Sequence, residues 1–401
     1  MNKETHFLWV IQTSESFFFQ NNLKITLVIC HLRNFSQFMI RTLNSLRFIL
    51  ILMIVISHSA LPMSQGLHDY LGECPVAIFF VISGFVLSLS KGEKLEKEEL
   101  SNKQFFLSRI VKLYPLHLLI VAFFIPLDWR LGYLESWSQT IAHCFLLQCW
   151  VPSHEFIAVL NGPTWFLSDI IFFYLIFIYL YRFIIRNSWR TILPILSIYM
   201  IGYILLSFST TKDYSAGYIY FYPPFRLIDF CLGICLYKFY QSTKGQKLSE
   251  KIGKDMSCWQ AFIADTIIIL MMAAMYELAI HSNPNIRCAA LYWLFSIILV
   301  FYAVSIENGK GWLSCLLHNK FLFWLGNCSF EIYLWHMLCF RIIQSIALRI
   351  YGEDIPYSGI QFMISLSFTI MMAWISKKYI VIPIYNKLKN IACKWTNSRY
   401  Y

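Results

Sequence analysis

The stretch SLRFILILMIVISHSA, Ser45 to Ala60, decides the fold class, because it is almost entirely apolar and yet contains two ionisable side chains. Arg47 lies near its beginning and His58 near its end. Apolar runs of about twenty residues recur along the whole chain, and such runs are typical of helices that cross a membrane. The sequence therefore predicts an all-α, polytopic integral membrane protein.

Ten apolar segments are long enough to serve as membrane spans. The apolar segment between residues 141 and 151 is too short to span, and we expect it to be re-entrant or interfacial. The ten predicted spans cover residues 44–63, 73–90, 110–127, 165–185, 191–208, 220–239, 259–279, 288–305, 322–347 and 359–383.

The distribution of Lys and Arg between the loops predicts the orientation. The loops after the even-numbered spans, together with the tail after the last span, carry 22 of these residues. The opposite loops carry only Arg130, Lys212, Arg287 and Arg349. Because cytoplasmic loops are enriched in Lys and Arg, both termini are predicted to be cytoplasmic, which agrees with an even number of spans.

Composition argues against several other classes of protein. Of the 401 residues, 58% are hydrophobic and only 14% are charged, and the net charge of +11 follows from the basic loops rather than from a nucleic-acid-binding surface. The twelve cysteines are scattered through apolar runs, so a disulfide framework or a zinc site is not expected. No metal-binding or nucleotide-binding motif occurs, and neither a metal nor a bound cofactor is expected.

The first 38 residues differ from the rest of the chain, because short apolar runs alternate there with polar residues and the pattern of a signal peptide is missing. Two interpretations stay open. Translation could begin at Met39, just before the first span, or residues 1–38 could form a cytoplasmic extension on the membrane surface. Residues 39–401 are predicted to form one ten-helix domain.

Arg47 and His58 are predicted to share one face of the first span. Eleven residues make about three turns of a helix, which places the two side chains about 16 Å apart along its axis. An arginine at a helix end can simply reach the lipid headgroups. A histidine deep in a span is rarer and is by default a functional hypothesis.

Further polar groups interrupt other spans. They are candidates to bind a substrate or to support the site. Each also has a purely structural interpretation: a self-neutralising ion pair, interhelical hydrogen bonding or a residue that only sets the orientation. These groups are Ser83 in span two, Arg109 and Lys112 at the mouth of span three, Trp165 and Asp169 in span four, Arg226 and Asp229 in span six, and Ser329, Tyr333 and His336 on one stripe of span nine. Asp265 and Glu331 are isolated acids that are expected to pack or to line a cavity.

The segments LRFILILMIVISH, VAIFFVISGF, RIVKLYPLH, NGPTWFLSDIIFFY, RLIDFCLG and GNCSFEIYLWH follow one another in this order between about residues 40 and 385. In this order they resemble the acyltransferase-3 family of integral membrane O-acyltransferases. The resemblance implies ten helices in a bacterial inner membrane. It also implies transfer of an acyl group, usually acetyl, from cytoplasmic acyl-CoA, as co-substrate, to a hydroxyl of a surface glycan or lipid-linked sugar.

The same resemblance implies roles for particular residues. His58 is the catalytic candidate, and Arg47, Arg109 and Lys112 serve the acyl donor. Three departures from the family pattern stand out: Lys112 replaces an arginine, Ile170 replaces a glutamate and Phe330 replaces a tyrosine. Lysine keeps the charge of arginine but loses its bidentate geometry.

Two other functions fit the same features and are kept as alternatives. A transporter or flippase of glycan precursors would also have ten spans and intramembrane charges, but it would need neither acyl-CoA nor a base at His58. A catalytically inactive relative would be explained by the change at Ile170. The acceptor is expected to be O-antigen, capsule or another exported polysaccharide.

Overall fold

The computed structural model describes residues 40–134, 136–151, 153–210, 219–352 and 358–388. The predictions made for residues 1–38 lie outside these ranges. Within them, every regular element is a helix and no strand occurs. The ten long helices are α1 (Arg41–Ser57), α2 (Gln65–Leu87), α3 (Asn102–Leu131), α4 (Trp165–Arg186), α5 (Trp189–Ser209), α6 (Pro223–Gln241), α7 (Cys258–His281), α8 (Trp293–Ser305), α9 (Ser329–Tyr351) and α10 (Gly359–Ser376).

Each predicted span overlaps one of these helices. In the part of the chain that the structure describes, seven helical segments are long and apolar enough to cross a membrane, and they contain α2, α3, α4, α5, α7, α8 and α10. The other three helices are short or polar: α1 has only 17 residues, α6 contains Arg226 and Asp229, and α9 contains Glu331 and Arg341. The protein is therefore an all-α, multi-pass membrane protein.

Several predicted boundaries differ from the helix ends, and two of these differences affect the site. The first span was expected to reach residue 63, but α1 ends at Ser57, where the hydroxyls of Ser57 and Ser59 bond to the carbonyls of Ile54 and Ile56. Serine hydroxyls that bond to nearby carbonyls compete with the helical backbone bonds. The ninth span was expected to run unbroken from residue 322, but the chain forms a short helix, Lys320–Asn327, and then begins α9 after Cys328.

The centre of the bundle is α2, which packs closely against α6 and also contacts α1 and α8. In its most apolar window, 72% of the residues of α2 are buried, against 17% for α5 and for α7. Ile198 on α5 and Leu270 on α7 are exposed, as expected for helices that face lipid. The polar residues on α1, α2, α6 and α9 are thus held inside the bundle.

The connection between α3 and α4 folds into short pieces instead of a span. A helix (Trp137–Cys144), a 3-10 turn (Gln148–Trp150) and a second short helix (His154–Ala158) follow each other. His117 on α3 donates from Nε2 to the carbonyl of His143 at 2.8 Å, and His143 donates to the carbonyl of Phe156 at 3.1 Å. This chain of bonds fixes both short helices to the middle of α3.

Candidate active site

A cavity lies where α1, α2, α3, α4 and α9 meet, and its volume is about 190 Å³. Most of its wall is apolar, and none of the described residues that line it is a carboxylate. The polar side chains on the wall are the cations Arg47, Arg109 and Lys112 and the hydroxyl groups of Ser83, Ser90, Tyr174, Ser329 and Tyr333.

The three cations gather at one end of this cavity. Among the described residues, the charge of Lys112 interacts with those of Arg109, Arg47 and Lys377 and, with the opposite sign, with the carboxylate of Glu331. Glu331 is in turn 3.6 Å from Lys377 Nζ. Four cations against one carboxylate leave an excess of positive charge, which favours a polyanionic ligand.

Arg109 is held by aromatic rings. Its guanidinium carbon lies 5.6 Å from the ring centre of Phe105 and 5.9 Å from that of Tyr174. Its Nε is buried, and no described residue accepts a hydrogen bond from it. Such a donor can bind an anion without first breaking a bond within the protein.

One face of α1 connects the cations to His58. Arg47, Ile51 and Ile54 all line the cavity, and they are spaced as a helical stripe. His58 is the next position of that stripe, and its backbone N–H still bonds to the carbonyl of Ile54 at 3.1 Å, although the helix ends at Ser57. His58 does not line the cavity itself, but its side chain remains accessible.

The side chain of His58 is paired with that of His336 on α9. The Nδ1 of His58 lies 3.2 Å from Nε2 of His336, and the two ring centres are 5.1 Å apart. His336 Nδ1 lies 2.6 Å from the carbonyl oxygen of Tyr333, and a carbonyl can only accept. His336 therefore donates from Nδ1 and, when neutral, accepts at Nε2.

These bonds fix the tautomers of two neutral rings. Since His336 accepts at Nε2, His58 must donate from Nδ1. The Nε2 of His58 is left with a free lone pair, which is the form that a general base or a nucleophile requires.

The three remaining predicted residues on the cavity wall are Ser83, Ser329 and Tyr333. Ser83 Oγ donates to the carbonyl of Phe79 at 2.7 Å, and Tyr333 Oη donates to the carbonyl of Pro163. Tyr333 lies one helical turn before His336, so α9 connects the cavity wall to the pair of histidines.

Four predicted residues do not reach this cavity and lie in a separate buried cluster. Arg226 and Asp229 are both fully buried, with Arg226 Nε 3.1 Å from Asp229 Oδ2. The Arg226 guanidinium carbon lies 5.1 Å from the ring centre of Phe80 and 5.4 Å from that of Tyr220. This pair joins α6 to α2, which favours its structural interpretation.

Trp165 and Asp169 belong to the same cluster. The indole of Trp165 is 4.9 Å from the ring of Tyr220. Asp169 is fully buried; neither of its oxygens has a hydrogen-bond partner among the described residues, and its charge interacts with that of Arg226. Arg226 thus interacts with the carboxylates of both Asp169 and Asp229.

The departures from the family pattern lie in the cavity. Lys112, Ile170 and Phe330 all line it. Asp169, although adjacent to Ile170, points away from the cavity and does not replace the missing glutamate. A carboxylate and a hydroxyl are therefore absent from the wall, and the wall is correspondingly more apolar.

Several polar residues of the site escaped the sequence analysis. Tyr174 lies on one stripe of α4 with Leu167 and Ile170, and that spacing is the signal that could have found it. The two isolated acids have partners: Glu331 pairs with Lys377, and Asp265 accepts from Tyr302 Oη at 2.6 Å.

An ion pair between α3 and α9 was also missed. Asp128 Oδ1 is 2.5 Å from Arg341 Nη1. The two residues are separated by 213 positions, and no local pattern connects them.

Comparisons with known proteins identify a family and several relatives that are similar in sequence to this chain. The family model described as an acyltransferase domain, acyltransferase-3, matches residues 40–376. Acyltransferase MdmB of Streptomyces mycarofaciens is 27% identical over 305 residues, which cover 72% of each chain. Putative acetyltransferase ORF330 of Acidianus two-tailed virus is 24% identical, over 72% of this chain and 78% of its own length.

A further relative is matched over only part of its length. Putative O-acetyltransferase SAR0937 of Staphylococcus aureus is 25% identical over 204 residues, which are 50% of this chain but 31% of the staphylococcal protein. No solved structure matches the chain significantly. The family model covers most of the sequence and every element of the cavity, so the chain belongs to the acyltransferase-3 family and is a membrane acyltransferase.

Proposed function

We propose that this protein is a membrane O-acetyltransferase that moves an acetyl group from cytoplasmic acetyl-CoA to a hydroxyl of a surface glycan, such as O-antigen, capsule or exopolysaccharide, or its lipid-linked precursor. The observation that carries the proposal is the cavity with cations at one end and the His58–His336 pair beside the other. The names of relatives, which include putative O-acetyltransferases, support acetyl as the group and oxygen as the acceptor atom.

The donor is expected to enter from the cationic end. The phosphates of acetyl-CoA match Arg109 and Lys112, and Arg109 has an unused buried donor. The thin arm of the molecule then runs along the apolar stripe of Ile51 and Ile54. The thioester arrives near His58, about 16 Å from Arg47 along the axis of α1.

The reaction needs one base and releases one thiol. The Nε2 of His58 accepts the proton of the sugar hydroxyl while the hydroxyl oxygen attacks the thioester carbonyl. The carbon–sulfur bond breaks, and the proton passes to the CoA thiolate, which leaves as CoA thiol. In the alternative route, Nε2 attacks the thioester carbonyl, the carbon–sulfur bond breaks, and CoA leaves as the thiolate from an acetyl-imidazolium. The sugar hydroxyl then attacks the acetyl carbonyl, the carbon–nitrogen bond breaks to restore His58, and the hydroxyl proton passes to the CoA thiolate.

The proposed topology has ten crossings of a bacterial inner membrane, with both termini in the cytoplasm. Two observations support it. Basic residues concentrate in one set of loops. The cationic end of the cavity lies near the beginning of α3, on the side that these loops assign to the cytoplasm, where acyl-CoA is made.

The first test concerns the base, His58. Glycan acetyl content is measured by mass spectrometry in a deletion strain complemented with each form, and activity on acetyl-CoA is measured in purified membranes. His58→Gln should lower acetylation to background, because an amide keeps hydrogen bonding but cannot take a proton, and a general base contributes about 10²–10⁴-fold. Near-normal acetylation in His58→Gln would overturn the mechanism.

The donor site is tested separately. Arg109→Ala should raise the KM for acetyl-CoA by about tenfold or more, the effect of losing a charge-assisted hydrogen bond. The exposed Lys247 is the control, because Lys247→Ala removes the same charge from a predicted cytoplasmic loop without touching the cavity. Equal KM values for the two variants would mean that Arg109 only sets the orientation.

A further inference from the structure

A second cavity, which we call the outer pocket, lies at the far end of α3 and has a volume of about 370 Å³. The polar side chains that line it are Asp128, Tyr133, Gln139, Glu155 and Arg341. Asp128 follows Arg109 by nineteen residues on α3, a rise of about 28 Å. That distance is close to the thickness of the hydrocarbon core, about 30 Å, so the outer pocket and the cationic cavity mouth lie at opposite membrane faces.

Two tryptophans place the pocket at a membrane–water interface. Trp129 and Trp137 are 56% and 60% exposed, and their rings are 5.3 Å apart. Each lies close in sequence to a residue that lines the pocket. Because exposed tryptophans concentrate at the interfaces of a bilayer, these two indoles set the depth of the pocket at the level of the lipid headgroups.

The pocket is built around a buried ion pair. Asp128 is fully buried and uses both carboxylate oxygens: Oδ1 accepts from Arg341, and Oδ2 accepts from the backbone N–H of Leu160 at 2.6 Å. Leu160 has a φ of 55°, a conformation that a leucine rarely adopts. Asp128 therefore holds the strained turn behind Val159, which lines the pocket, and such turns cluster at binding sites.

The chemistry of the lining favours a neutral ligand rich in hydroxyls. Arg341 has five N–H groups, of which one is taken by Asp128, and no other described residue accepts from this guanidinium. Glu155 and Tyr133 are exposed and offer a carboxylate, a hydroxyl and a ring face. Among the described residues, one arginine against two carboxylates disfavours an anion, in contrast to the donor cavity. Both oxygens of Asp128 already accept a hydrogen bond, one of them from a cation, which disfavours a metal ion there.

The outer pocket also lies near the histidine pair. Arg341 follows His336 by five residues on α9, which is about 7.5 Å along the axis and about 140° around it. The outer pocket and the histidine pair therefore face different sides of α9. The segment from Val159, which lines the pocket, to Pro163, whose carbonyl accepts from Tyr333 Oη, connects the two sides. A glycan that follows this segment can present a hydroxyl of a neighbouring sugar to His58.

We propose that the outer pocket is a glycan subsite that binds a sugar residue next to the one that is acetylated. This inference rests on the proposed function, because it assigns the acceptor of that reaction. Such a subsite makes a chain of sugars a better acceptor than a single sugar, since the remote residue binds equally in the ground state and the transition state and so lowers the KM.

The experiment uses the full-length protein in lipid nanodiscs, radiolabelled acetyl-CoA and the surface glycan of the producing strain after alkaline removal of its ester groups. Tyr133→Phe and Glu155→Gln should each raise the KM for this glycan by about three- to tenfold, the effect of one lost hydrogen bond. Their kcat and their KM for acetyl-CoA should stay at the wild-type values. Glu99→Gln, at an exposed carboxylate in the loop after α2, is the matched control.

A second readout separates this inference from the proposed function. Binding of the same glycan to His58→Gln protein is measured by calorimetry, where no chemistry occurs, and adding Tyr133→Phe should weaken it by a similar factor. Unchanged glycan KM and unchanged glycan binding in the pocket variants would overturn the subsite. Absence of transfer by the wild-type protein, with glycan binding that still depends on Tyr133 and Glu155, would overturn the proposed function but not the subsite.

Discussion

At the scale of single residues, the site depends on how two histidines divide their hydrogen bonds. The carbonyl of Tyr333 decides which nitrogen of His336 carries the proton, and His336 decides the same for His58. A backbone carbonyl can only accept a hydrogen bond. The carbonyl on α9 therefore fixes which nitrogen donates and which accepts in each of the two rings. We therefore regard His336 as a positioning residue for His58.

This arrangement predicts graded effects at His336. His336→Ala should lower kcat by about 10²-fold, because the ring of His58 loses both its orientation and its tautomer preference, while the KM for acetyl-CoA stays unchanged. His336→Gln should recover part of the rate, since its amide oxygen can still accept from His58 Nδ1. Steady-state kinetics in purified membranes measure both values. A loss in His336→Gln as complete as that in His58→Gln would mean that His336 itself transfers a proton.

The residues of the two cavities differ in how easily the sequence reveals them. Arg47 and His58 are conspicuous, because an ionisable group in an apolar run is costly and so marks a site. Tyr174 is one of 24 tyrosines in a chain with 18% aromatic residues, and only its helical spacing with Leu167 and Ile170 distinguishes it. Asp128 and Arg341 are paired only by the packing of α3 against α9, which no periodicity reveals.

At the scale of elements, the close contact between α2 and α6 depends on two glycines. Gly84 on α2 and Gly233 on α6 face each other: a Cβ on Gly84 would lie 2.2 Å from the carbonyl oxygen of Phe230, and one on Gly233 would lie 2.2 Å from that of Val81. Small residues let helix backbones approach in this way within membranes. The contact holds α2 at the centre of the bundle, where it forms one wall of the donor cavity.

We expect Gly84→Ala to destabilise the protein by about 1–3 kcal/mol, the cost of overpacking a close contact that involves backbone atoms. Thermal unfolding in detergent, followed by circular dichroism, should show a lower Tm. Gly202→Ala is the matched control, because that glycine lies on α5 with no atom near its missing Cβ. Alanine there should leave the Tm unchanged or raise it slightly. Equal Tm values for Gly84→Ala and the wild type would show that the helices can separate at little cost.

The existence of the helices could be predicted, whereas some of their ends could not. Hydropathy identified a helix for each predicted span, since burial in lipid requires long apolar segments. The end of α1 at Ser57 and the break at Cys328 depend on local hydrogen bonds and on packing, which hydropathy does not contain. The same limit applies to the second half of the site: sequence spacing grouped Ser329, Tyr333 and His336, but not His336 with His58.

At the scale of the whole molecule, the two cavities have opposite electrostatic characters. The donor cavity has three cations and no carboxylate on its wall, and the outer pocket has two carboxylates and one arginine. The helices α3 and α9 contribute to both. An anionic donor and a hydroxyl-rich acceptor would thus meet from opposite membrane faces near the histidine pair, and neither would need to cross the bilayer.

This arrangement requires that the two ends of α3 face different compartments, which cysteine labelling of intact cells tests. Lys97 is exposed in the loop before α3, and Tyr133 is exposed just beyond its end. With a membrane-impermeant maleimide, Tyr133→Cys should be labelled in intact cells, and Lys97→Cys only after permeabilisation, because the basic loop is predicted to be cytoplasmic.

The native cysteines provide an internal control for this labelling. Cys258 and Cys315 are exposed, and both lie on the predicted cytoplasmic side, so they should be silent in intact cells. Cys144 is half-buried on the opposite side and is best replaced by serine in the background protein. Strong labelling of Lys97→Cys or of native Cys258 in intact cells would reverse the orientation. The cations of the donor cavity would then face away from the cytoplasmic acyl-CoA pool, and the proposed route of the donor would be wrong.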